Sequence, residues 1–200
     1  MGKAETNKQK KRESLLNTAF DLFTTKGINN TSIADIVEAA GVAKGTFYLY
    51  FKDKYDINSK LLVHKATLLF ESALERLHKS GISDIREKIF FVLDDIISAL
   101  TKDKVLLMFI SKNLGLGFSR YMMESPAVME EEPIKEATMQ FLDDIGNTIT
   151  NPKLMMYMII ELTGSSIYSA ILYEQPVTID ELKPHLFTAI GSIIDQFTKK

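Results

Sequence analysis

Apolar residues recur along this chain every three to four positions and nowhere alternate with polar ones over a useful length. That period predicts amphipathic helices throughout and no strands. The first predicted helix runs from about Lys8 to Lys26, with Leu15, Leu16, Ala19, Phe20, Leu22 and Phe23 on its inner face; Gly27 ends it. Two short helices follow, between about residues 32 and 51. Asp53 then caps a long helix to about Ser80, where Gly81 stops it. Its apolar stripe is Leu61, Leu62, Leu68, Leu69, Ala73, Leu74 and Leu77. Further helices are expected from Ser83-Asp84 to about Leu100, from Lys102 to Asn113, and from Glu130 to Ile149. The last two run from Pro152 to Tyr173, behind an Asn151 cap, and from the Thr178/Glu181 capping box to Phe197. Leu114 to Phe118, with its two glycines, and Pro126 interrupt the pattern; Pro184 should bend the last helix early. About nine helices make the expected fold class all-α.

The stretch from Thr31 to Lys54 is the most specific. Thr31 and Ser32 offer capping hydroxyls, and Ser32 with Asp35 approximates a capping box. Ile33, Ile36, Val37 and Ala40 form one stripe. Gly41 follows, able to turn the chain at positive φ, and Val42 would pin the turn. The second short helix, roughly Ala43 to Phe51, sends Phe47 and Phe51 inward, with Val42 and Leu49 near the same face. Lys44, Thr46, Tyr48 and Tyr50 then face outward. Gly45 costs a short helix about 1 kcal/mol against alanine; either it is incidental, or it lets the backbone approach a groove. Two short helices around a tight turn, the second bearing hydroxyls, phenols and lysines, are laid out as a helix-turn-helix DNA reader, with the motif at about 32–51.

This segment resembles the DNA-binding domain of the tetracycline-repressor (TetR) family of transcriptional regulators. The run Ala40-Gly41-Val42-Ala43-Lys44-Gly45-Thr46-Phe47-Tyr48-Leu49-Tyr50-Phe51-Lys52-Asp53-Lys54 carries the resemblance. So do Ala19 to Phe23, Lys26-Gly27, and Thr31 to Ile36. It covers the first quarter to third of the chain. It implies a DNA-binding domain over 1–55 with three helices, and an effector-binding and dimerisation domain over 56–200. It further implies a homodimer on a palindromic operator, most often a repressor, released by a small molecule.

The second short helix is expected to lie in the major groove. Lys44 and Thr46 would reach base edges or nearby phosphates, Tyr48 and Tyr50 phosphates, and Lys54 a phosphate from the next helix start. Thr31 or Ser32 would add a second phosphate clamp. By resemblance, Ala43, Gly45 and Thr46 occupy base-facing positions. The long helix after Asp53 would connect reader to effector domain, and an effector would spread the two reading heads beyond one-turn half-site spacing.

Charge alters the picture only when divided. The 200-residue chain carries −2 overall. Residues 1–56 hold nine basic against seven acidic side chains, and the remainder fifteen against nineteen. Lys3, Lys8, Lys10, Lys11 and Arg12 precede the first helix's apolar face, either as a phosphate-neutralising arm or as a solvated terminus. Cysteine is absent, which excludes disulfides and thiolate metal sites. Residues 1–6 lack the apolar core of a secretory signal, and no apolar run is expected to span a bilayer; Glu161 interrupts the longest, Leu154 to Leu172. A cytoplasmic protein is expected.

Beyond the reader, small residues line the last two helices: Gly164, Ser165, Ser166 and Ala170 on one, Ala189, Gly191 and Ser192 on the other. They point to a two-fold four-helix bundle with Gly164, Ile167, Ile171, Ile190, Ile194 and Phe197 at the dimer seam, or to packing within one chain. Eight of nine methionines fall after the reader. With the aromatics they suggest either a pliable effector pocket or ordinary core. Candidate pocket residues are Phe109, Asn113, Phe118, Tyr121, Met122, Met158, Glu161 and Tyr168, with Arg120 and Glu124 as weaker polar ones.

No catalytic constellation emerges. His64, His78 and His185 are far apart in sequence, Gly115 and Gly117 lack a preceding strand, and the adjacent pairs Asp94-Asp95 and Asp143-Asp144 diverge by about 100° and should be solvated. No cofactor or metal is expected. The rival reading is a helical small-molecule-binding protein or enzyme that uses the N-terminal unit only for packing. Two exposed phenols and two lysines on and beside one short helix argue against it.

Overall fold

Nine helices carry the described residues of the computed structural model, which cover 3–114 and 136–199, with side chains over 7–111 and 140–199. No strand occurs among them; a lone bridge joins Ile149 and Thr198. The all-α reading holds. Phe118, Arg120, Tyr121, Met122 and Glu124 lie outside the described residues, as do the break after Leu114, Pro126 and the expected helix start at Glu130. The side chain of Asn113 does too.

In chain order the helices are α1 (Lys3–Thr25), α2 (Ile33–Ala39), α3 (Lys44–Tyr48), α4 (Lys54–Ser80), α5 (Ile85–Lys102), α6 (Lys104–Leu114), α7 (Glu136–Thr148), α8 (Pro152–Tyr173) and α9 (Ile179–Phe197). Two compact units divide the chain, Met1–Lys65 and Ala66–Lys200. The division falls inside α4.

In the first unit, α1 packs on α2 and α2 on α3. Leu15, Leu16, Ala19 and Phe23 of α1 meet Ile36, Val37, Phe47, Phe51, Ile57, Leu61 and Leu62 in one buried set. α1 starts at Lys3, five residues before the expected start at Lys8, so the basic segment belongs to the helix. Gly41 takes φ 66°. A side chain at its Cβ would meet nothing within 4 Å, so the turn asks for glycine because of its backbone alone.

In the second unit, α8 packs against α9 and α6, and α5 against α6, α7 and α9. The α8 side chains Met155, Ile159, Thr163, Ile167, Ala170 and Ile171 are buried, as are Leu186, Ile190 and Ile194 of α9. By length and composition α8 could cross a membrane, contrary to the expectation from its Glu161 interruption; here its buried face is an intramolecular seam. Gly191 of α9 is covered by Arg86: a Cβ there would lie 2.1 Å from Nη2. The glycine lets the guanidinium lie on α9, where it donates to Asp195 (2.7 Å).

Of the paired aspartates, Asp143 is exposed as expected, but the other three are not simply solvated. Asp94 pairs with Lys183 (2.5 Å), Asp95 with Arg76, and Asp144 with Lys88 (2.6 Å). Lys88, then Gln140, holds the Asp144 carboxyl below its usual range. Asp94 and Asp95, adjacent residues pointing about 100° apart, do what that geometry permits: each reaches a different helix.

Candidate nucleic-acid interface

The turn into α2 is built from its own sequence. Ser32 accepts from the Asp35 N–H (3.1 Å), and the Ser32 N–H (2.8 Å) and hydroxyl (2.8 Å) donate to the Asp35 carboxylate. This capping box fixes where α2 begins. The Ser32 N–H and then its hydroxyl hold the Asp35 carboxyl below its ordinary range, with Lys26 adding attraction. A depressed folded-state pKa means the stabilisation is complete above the unfolded Asp range and drains as pH falls through the folded value. Ser32→Ala is therefore expected to cost about 1 kcal/mol at neutral pH. The gap to wild type in melting temperature should narrow without closing on acidification below the usual Asp range, because only the hydroxyl's bond to the carboxylate is lost with protonation while the Asp35 N–H to Ser32 Oγ bond remains; a variant that melts like wild type at neutral pH would refute the capping account.

Phe47 and Phe51 seat α3. Phe47 is fully buried and Phe51 nearly so, their ring centroids 5.5 Å apart. Tyr48 meets Phe47 edge-on at 5.5 Å while keeping half its surface exposed. With that anchor inward, Lys44 and Gly45 are exposed, Thr46 half-buried, and Ala43 exposed at the N-cap. No atom lies within 4 Å of a Cβ built on Gly45, so this fold does not require glycine there.

Several expected positions fall elsewhere. Leu49 was expected inward, yet it is 77% exposed, because α3 ends at Tyr48 and Leu49 caps it where the chain leaves the helix. Tyr50 is half-buried, not outward-facing. Thr31 is buried, its hydroxyl donating to the Gly27 carbonyl (2.9 Å). Ser32 is exposed but its hydroxyl serves the cap, beside a carboxylate that would repel a phosphate. The Lys54 ammonium donates to the carbonyls of Ile28 (2.9 Å), Asn29 (3.3 Å) and Thr31 (3.4 Å).

In the second unit, Phe109 is buried, Met158 exposed, and Glu161 and Tyr168 half-buried. Tyr168 packs edge-on to Tyr173 at 6.1 Å and hydrogen-bonds it, which raises its phenol's pKa. Ile167, Ile171, Ile190 and Ile194 are all within the single chain's core and have no surface left for a second subunit; Gly164 and Phe197 are half-buried. Sequence reasoning missed two buried hydroxyls, Ser111 Oγ on α6 and Thr163 Oγ1 on α8, which find no hydrogen-bond partner. Nothing in the sequence marks them: serine and threonine in an apolar helix ordinarily bond back to its carbonyls. Among the described residues, no three His, Asp or Glu side chains converge as a metal site.

A three-helix unit that buries two phenylalanines so that a short second helix can present lysine, glycine and tyrosine defines a helix-turn-helix protein of the DNA-reading kind. Residues 15–59 match the family described as bacterial regulatory proteins, tetR family. The HTH-type transcriptional regulator AcrR of Shigella flexneri is 32% identical over 99 residues, a match spanning 48% of this chain and 46% of AcrR, so the chain aligns with about half that relative's length. The HTH-type transcriptional regulator YvdT of Bacillus subtilis is 26% identical over 191 residues, 89% of this chain and 92% of that one. A TetR-family transcriptional regulator of Streptomyces coelicolor shares the fold, with a TM-score of 0.64 at 16% identity, covering 94% of this chain and 99% of its own. Over residues 15–59 the chain is thus similar to the tetR family of bacterial regulatory proteins, and beyond them it shares the all-α fold of regulators of that family. These relatives are regulators and not enzymes.

Proposed function

We propose that this protein is a ligand-responsive transcriptional regulator that binds a palindromic operator as a homodimer and, acting as a repressor, leaves it when a small molecule binds. The carrying observation is the exposed set Ala43, Lys44, Gly45, Tyr48 and, in part, Thr46, raised on a buried Phe47–Phe51 anchor. α3 would enter the major groove. Lys44 and Thr46 would reach base edges, and Tyr48 a phosphate, with Tyr50 beside it. A single reader this short needs a second copy for affinity and register, which supports the dimer. With the four isoleucines inside the chain, a contact between copies would use the exposed side of α8 and α9, where Ser165, Thr188, Ala189 and Ser192 allow close approach.

The effector reading draws on the second unit's unpartnered buried hydroxyls. Burying a hydroxyl without a partner costs about 1–3 kcal/mol. Ser111 and Thr163, on the packed helices α6 and α8, would be satisfied by a ligand's polar group. A cytoplasmic location follows from operator binding.

Gly45→Ala tests the groove reading by sign. Alanine should stabilise α3 by up to about 1 kcal/mol, because the site is sterically open in the free protein. Its methyl group should weaken binding to duplexes that the wild type selects from a random pool, because the backbone abuts the groove. A variant that melts higher and binds those duplexes equally well would sink the α3 reading.

A further inference from the structure

Three lysines on α4 carry charges that a count would assign to DNA, and each is already engaged inside the first unit. Lys54 directs its ammonium at three carbonyls of the turn between α1 and α2, 2.9, 3.3 and 3.4 Å away. An ammonium has three N–H donors, so none is left for a phosphate. Lys60 donates to the Tyr50 carbonyl beyond the end of α3 (3.2 Å) and stands 5.6 Å from the Phe51 ring centroid. Lys65 sits over the Phe20 ring of α1 at 4.5 Å. The three span α4 from its first residue to the end of the compact unit at Lys65.

Together they touch every joint of the reader. The turn held by Lys54 leads directly into Ser32, the residue that fixes where α2 starts. Tyr50, held by Lys60, ends the segment that carries α3. Lys65 holds α1, on which α2 packs. Carbonyls in turns have no helical partner, so a cation that bonds three of them at once sets the path of the chain as well as satisfying it. The phosphate-facing charge must then come from lysines that are exposed: Lys44, Lys52 and those near the start of α1.

We infer that Lys54, Lys60 and Lys65 are positioning residues, fastening the first turns of α4 to α1, the α1–α2 turn and the end of α3 so that the reader moves with α4 as one body, and that Lys54 is not a phosphate ligand. This rests on the DNA-binding reading above. It makes α4's first three turns part of the reader, so that a displacement of α4 would be transmitted to α3 undiminished.

Lys54→Gln separates the possibilities, because glutamine is uncharged and, being shorter with only two N–H donors, cannot hold all three carbonyls. Duplexes recovered by the wild type from a random-sequence pool serve as probe, with a scrambled duplex as the non-specific reference, titrated from 50 to 300 mM KCl. A lost phosphate contact lowers the slope of log K against log salt by about 0.9 and weakens both duplexes alike. A lost positioning contact is expected to weaken the selected duplex by about three- to tenfold, leave the scrambled one unchanged, and leave the salt slope as it was. A lowered slope overturns the inference, and so does a change in thermal stability with no change in either affinity. A wild type that recovers no duplex overturns the DNA-binding reading and this inference together. Should Lys54→Gln not fold, Lys65→Met keeps the apolar stem over Phe20 without the charge, and its salt slope is expected to equal wild type's.

Discussion

A Phe47→Ala variant is expected to lose the folded reader, and DNA binding with it. Phe47 is fully buried, in ring contact with Phe51 and Tyr48, at the point where α3 seats on the rest of the first unit. Truncating a buried phenylalanine costs about 3–5 kcal/mol through lost transfer energy and the residual cavity. Small domains have only about 5–15 kcal/mol in total, and a unit of this size sits low in that range. The variant should show a low-temperature unfolding step by circular dichroism and bind neither selected nor scrambled duplex. Tyr48→Ala is the control. Tyr48 is 52% exposed and touches Phe47 only edge-on, so its removal should cost the fold little. It should weaken both duplexes to a similar degree, as a lost phosphate contact would. A Phe47→Ala protein that melts like wild type would mean that the aromatic anchor does not seat α3.

The reader was legible because its signals are local. Gly41 at the turn, Ser32 with Asp35 at the cap and the i, i+4 pair Phe47/Phe51 each act within four residues. Leu49 misled because helical spacing was extended one residue beyond the helix's end. Lys54 misled for a different reason: its partners lie 23 to 26 residues upstream, and no spacing rule reports a contact of that range. The isoleucines of α8 and α9 illustrate the second unit's difficulty. Period alone shows that a residue faces apolar surroundings, not whether its own chain or another copy supplies them. Asp94, Asp95 and Asp144 looked solvated for the same reason, since their cationic partners come from other helices. Ser111 and Thr163 left no trace at all, because an unsatisfied hydroxyl is defined by what fails to surround it.

If α4's lysines are internal, the salt dependence of DNA binding should come mainly from elsewhere, and the basic segment of α1 is the largest source. That segment is helical from Lys3, which decides which of its cations act together. Lys8 and Lys11, three apart, share a side of the helix, whereas Lys10 points well away from Lys8. All three are exposed. A Lys8→Ala/Lys11→Ala double variant is therefore expected to lower the magnitude of the salt slope by about 1.8, which is on the order of 10- to 100-fold in affinity near 0.1 M salt. Lys10→Ala should change it by much less. Stability should move the other way or not at all: removing a like-charged i, i+3 pair relieves a few tenths of a kcal/mol, and alanine is the better helix former. Selected and scrambled duplexes should weaken equally, because phosphate neutralisation carries no sequence information. Equal effects from Lys8, Lys10 and Lys11 singly would show that this segment meets DNA as an unfolded arm and not as the start of α1.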